Sequence, residues 1–181
     1  MWVPTLLSMD PPGGVPTGCV FSSLMMSITV GGMLFQPLES LLTRFFVSKD
    51  NSSEFSASVV YLLAAASMWI PTYSHSSASE TGLCFSQTVA SFVVVEMCVG
   101  LFMPVAGTLR SKYVPDALQG GILNIFRLPL NAVVVAGTYA TDVWTPDRVF
   151  GCVSVCFAGA AAIQATMIST GAGGEKKKKK E

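Results

Sequence analysis

Charge is what this sequence has least of. Only 12% of its 181 residues are Asp, Glu, Lys or Arg, where an ordinary soluble domain carries roughly a quarter. That is too few to clothe a surface facing water. Histidine is scarcer still. His75 is the only one, so Cys152 and Cys156, one helical turn apart, find no nearby imidazole to complete a metal site. The five cysteines are an odd number, and Cys98, Cys152 and Cys156 fall in apolar segments. They read as small buried hydrophobes rather than a disulfide framework. The opening Met-Trp-Val-Pro-Thr-Leu-Leu lacks a basic leader and a small-residue cleavage site, so no signal peptide is expected. No nucleophile–base set is present either, which argues against an enzyme and implies no cofactor and no catalytic residues. Nucleic-acid binding has only a terminal lysine run in its favour.

What the sequence has is apolar length. Hydrophobic residues make up 51% of it, and its mean hydropathy is +0.55. A spanning helix needs roughly 20 mostly apolar residues, and five stretches supply them, at about 15–42, 55–73, 83–109, 117–139 and 149–168. The expected architecture is all-α, a five-helix transmembrane region over 15–170. Residues 1–14 read as the end of a truncated helix and an external loop, and 171–181 as a polybasic tail. Lys and Arg set the orientation. Arg44 and Lys49 follow span one, Arg110 and Lys112 span three, and lysines 176–180 span five, whereas Arg148 stands alone on the other side. The expected C-terminus is therefore cytoplasmic, in a multi-pass protein of the plasma membrane or an endomembrane. The glycosylation pattern at Asn51-Ser52-Ser53 then falls on the wrong side and is discounted.

Two spans carry a charge near their centre, Glu96 in the third and Arg127 in the fourth. Such charges are costly and survive by facing protein or water. Asn124, Arg127 and Asn131 recur at i, i+3 and i+7 and so share one helix face. Gly120 and Gly121 would let another backbone come close. Both helices also contain a proline, Pro104 and Pro129, which deprives the carbonyls of Gly100 and Ile125 of their usual donor. Glu96 and Arg127, at similar depth on consecutive helices, read either as a salt bridge stapling the two or as a substrate or coupling site. Spans two and five carry no central charge and many small residues, and read as peripheral, lipid-facing helices.

The stretches 18–27, 95–104 and 121–130, with Glu96-x-x-x-Gly100-Leu101 and Asn124-x-Phe126-Arg127-x-Pro129-Leu130, resemble the C-terminal half of the molybdate-anion transporters of the major facilitator superfamily. The likeness runs to about residue 168. It implies a twelve-helix transporter whose helices eight to twelve correspond to these five spans, with residues 2–7 as the end of helix seven. In that superfamily helices seven, eight, ten and eleven line the cavity, and nine and twelve lie outside. The resemblance implies molybdate or a related oxyanion as substrate, the lipid bilayer as surroundings and an N-terminal half as partner. Arg127 would be the anion ligand, Asn124 and Asn131 neutral donors, and Glu96 a coupling or ion-pair residue. Transport of another small solute, and a non-transporting protein that regulates a full-length partner, remain as alternatives.

Overall fold

The computed structural model describes residues 2–9, 13–45, 51–76 and 81–178, with 73–76, 81–84 and 169–178 described by backbone alone. They form six helices and a short turn of 3₁₀: α1 (Trp2–Ser8), α2 (Thr17–Phe45), α3 (Ser52–Ser76), α4 (Thr81–Tyr113), the 3₁₀ turn (Asp116–Leu118), α5 (Gln119–Val143) and α6 (Pro146–Lys178). No strand occurs among the described residues. α2 to α6 are each long and apolar enough to cross a membrane, which is the five-span architecture expected. They outrun the expected spans at most ends, and α6 continues to Lys178, through a lysine run that suits a helix C-terminus.

Local chemistry explains the boundaries. Gly13 and Gly14 hold left-handed φ of 96° and 79° in the turn before α2, a conformation glycine adopts without strain. α3 opens on Ser52-Ser53-Glu54, hydroxyls and an acid at the positive end of the helix. α4 stops two residues before Pro115, which cannot continue an α-helical ladder. Many hydroxyls inside the spans are satisfied by their own helix: Ser22, Ser27, Ser67 and Thr138 each donate to the carbonyl four residues back. The Ser56 and Thr88 hydroxyls, by contrast, are buried without a protein partner among the described residues.

α3 is the centre of the packing, in contact with α2, α4 and α6. The expectation of a peripheral second span is overturned: half of the Ser52–Thr72 stretch is buried. The small residues that suggested a lipid-facing helix are the reason. Ala57, Ala64, Ala65 and Ser67 are buried because small side chains let neighbouring backbones approach. The fifth span packs extensively on α3 but leaves most of its surface exposed, Val155, Ile163 and Met167 included. The Ser154 hydroxyl on α6 donates to the Ala65 carbonyl on α3 at 2.7 Å. Two apolar clusters complete the unit. One joins Leu6, Val20 and Leu24 to Met68, Phe92 and Phe150; the other joins Val60 and Ala64 to Cys98 and Leu101. The first pairs the N-terminal part of α2 with that of α4, and Phe35 and Leu38 then pack on the second, so α2 and α4 run parallel.

α5 is different. It touches α6 and the 3₁₀ turn before it, and none of its residues is buried.

Candidate functional site

Three of the four expected site residues lie together on that bare helix. Asn124, Arg127 and Asn131 are all exposed, and their spacing puts them along one stripe of α5. Glu96 is half-buried on α4. The structure does not bring it to Arg127: neither side chain has a hydrogen bond or ion pair among the described residues. Gly120 and Gly121, expected to admit a second backbone, meet no neighbour within 4 Å of an added Cβ. Arg127 is exposed, and its fork of five donors meets no acceptor among the described residues. A guanidinium held so can meet two oxygens of one oxyanion at once.

A second polar cluster, at the ends of α2, α3 and α4, escaped the sequence reading. Glu54 is 1% exposed, and its Oε1 accepts from Lys112 Nζ at 2.7 Å and from Tyr113 Oη at 2.5 Å. Its Oε2 is buried with no protein partner. Beside it Glu39 Oε1 accepts from the Ser52 and Ser53 hydroxyls at 3.0 and 3.3 Å. Three helix ends are thus fastened by two carboxylates. The sequence signal for it is Ser-Ser-Glu opening a helix on the side where α4 ends in Lys-Tyr, with Glu54 one residue outside the expected apolar span.

Among the described cysteines Cys98 is buried, and Cys19, Cys152 and Cys156 are exposed. A crevice of about 100 Å³ between α3, α4 and α6, lined by Val60, Tyr61, Ala64, Cys98 and Phe102 among others, has apolar walls and nothing to hold an anion. No group of His, Cys, Asp and Glu among the described residues could hold a metal.

A multi-pass helical membrane protein with an unpaired arginine on one span is the class these features define. Curated proteins give that class a likeness. The chain is 28% identical over 137 residues to the molybdate-anion transporter of Xenopus tropicalis, and 28% identical over 140 residues to that of Takifugu rubripes. The molybdate-anion transporter of Danio rerio is 29% identical over 140 residues. Each match covers 76–77% of this chain and 26–27% of the relative. The resemblance read from the motifs thus extends along most of the sequence, while the chain spans about a quarter of the length of the relatives it matches. No protein-family profile and no solved structure matches it.

Proposed function

We propose that the chain is the C-terminal five-helix part of a major-facilitator transporter that carries molybdate or a related oxyanion. The observation that carries the proposal is Arg127, a permanent cation on a membrane helix with no partner among the described residues, flanked on its own face by Asn124 and Asn131. An arginine in that setting is too costly to be incidental. A tetrahedral dianion offers the two parallel acceptors that its fork requires. Arg127 binds the anion, the asparagines donate neutral hydrogen bonds, and Glu96 orients the site or takes up the coupling proton. One arginine does not neutralise a dianion. A second cation comes from an N-terminal half of the kind that the longer relatives possess, and the same half covers α5. Alternating access then rocks the two halves about a site between them. Transport is into the cytoplasm, where the basic C-terminus lies, across the plasma membrane or an endomembrane. The bare face of α5 also suits the reading in which this chain regulates a full-length partner by binding it without transporting.

The test is anion uptake by the chain co-expressed with an N-terminal half from a relative, in four forms: wild type, Arg127→Lys, Arg127→Leu, and Arg127→Leu with Glu96→Leu. Lysine keeps the charge but not the planar fork, so Arg127→Lys is expected to abolish uptake with expression intact. Uptake retained in that variant, with poor expression of Arg127→Leu restored in the double variant, would identify a structural staple and sink the ligand reading.

A further inference from the structure

α2 and α4 meet backbone to backbone at one place. A Cβ added to Gly31 would overlap the Met97 carbonyl oxygen and stand 2.9 Å from its carbon. One added to Gly100 would overlap the Ile28 carbonyl oxygen and stand 3.0 Å from Gly32 N. The contact is reciprocal, each glycine seated in the notch between successive turns of the other helix. Among the described glycines no other position is so closed. Gly100, flanked by Val99 and Leu101, restricts the register, because replacing it in the notch by either neighbour drives a side chain into the Ile28 carbonyl. Pro104 adds to it by removing the donor that would meet the Gly100 carbonyl. That carbonyl instead lies across Gly32, 3.8 Å from where a Cβ would stand.

Glu96 is four residues before Gly100, one turn along the same side of α4. Cys98 and Leu101, which pack on α3, lie round the helix from it. We propose that Gly31 and Gly100 are positioning residues for Glu96. Their crossing fixes the height and rotation of α4 against α2 and so presents the carboxylate on the flank of that seam away from α3. On this view the Glu96-x-x-x-Gly100 spacing is an acid and the bearing that aims it, and Glu96 owes its placement to α2 rather than to Arg127. The transport consequence rests on the proposed function; the placement does not.

The test uses the whole 181-residue chain in membrane vesicles. A lipid-soluble carbodiimide labels carboxyl groups, and labelling of Glu96 is followed by mass spectrometry across a pH series. Gly31→Ala and Gly100→Ala are each expected to shift the pH profile and change the rate severalfold. The double variant should add little, since both remove one contact. Gly120→Ala and Gly137→Ala, where a Cβ meets nothing within 4 Å, should superimpose on wild type. Oxidation of a chain carrying Ile28→Cys and Met97→Cys should cross-link α2 to α4, which keeps the test open if an alanine variant does not insert. Failure of that cross-link, or unchanged Glu96 labelling in both inserted glycine variants, overturns the proposal. Altered labelling with unaltered anion uptake in the complemented transporter keeps the positioning and overturns the coupling role of Glu96.

Discussion

The stretches Ser52–Thr72 in α3 and Asp116–Val143 around α5 have the same mean hydropathy, 1.4, yet 50% of one is buried and none of the other. Hydropathy measures what a helix gains by leaving water, which both gain equally in a bilayer. It says nothing about which helices then touch, because lipid tails are as apolar as leucine and contact is decided by shape and polar pairing. α3 has the shape: alanines and serines along its length, with α4 and α6 seated on them. α5 carries Ile125, Phe126, Leu128, Leu130 and Val133 to Val135, bulk that lipid covers as well as protein does, and a polar stripe that lipid cannot cover.

The contrast can be broken hardest at the charges. Lys112→Met strips Glu54 of its cation while leaving the carboxylate buried, and is expected to cost about 3–5 kcal/mol in detergent unfolding, with most of it recovered by Glu54→Leu in the same chain. Arg127→Leu, with no partner to strand, should leave the stability of this chain unchanged. A Lys112→Met chain as stable as wild type would mean that the clasp between α3 and α4 is not formed. Packing gives a smaller effect. Ala64→Leu on α3, at a position 3% exposed, should cost about 1–3 kcal/mol by overfilling, whereas Ala132→Leu on α5 should be silent. Equal losses at the two positions would show that α5 is packed after all. Single hydroxyls give the smallest effect. Ser154→Ala removes the bond from α6 to α3 and should cost about 0.6 kcal/mol, the average for such bonds in membranes. Thr138→Ala, whose hydroxyl serves the Val134 carbonyl of its own helix, should cost less.

What could be read from the sequence divides along the same line. The five spans were legible, because twenty apolar residues in a row admit few other readings. So was the stripe of Asn124, Arg127 and Asn131, since helical periodicity fixes a shared face without any knowledge of neighbours. The packing was not legible. Gly120-Gly121 and Gly31-Gly32 look alike in a sequence: glycine permits a close approach, and only the tertiary arrangement decides that the second pair receives one. The alanines of α3 were misjudged for a related reason, as small side chains suit lipid and a tight interface alike. Glu54 was passed over because its place at the edge of a span resembles that of any acid beginning a helix. Its burial depends on Lys112 and Tyr113, 58 and 59 residues away.

The hydrogen bond between Ser154 and Ala65 joins residues 89 apart, and that separation sets a clock. At about 5–20 residues per second of synthesis, α3 is made roughly 5–20 s before the helix it packs on. During that interval the face built for α6 has only α2, and then α4, beside it. Until α6 arrives, that face of α3 is open to lipid or to any other helix beside it.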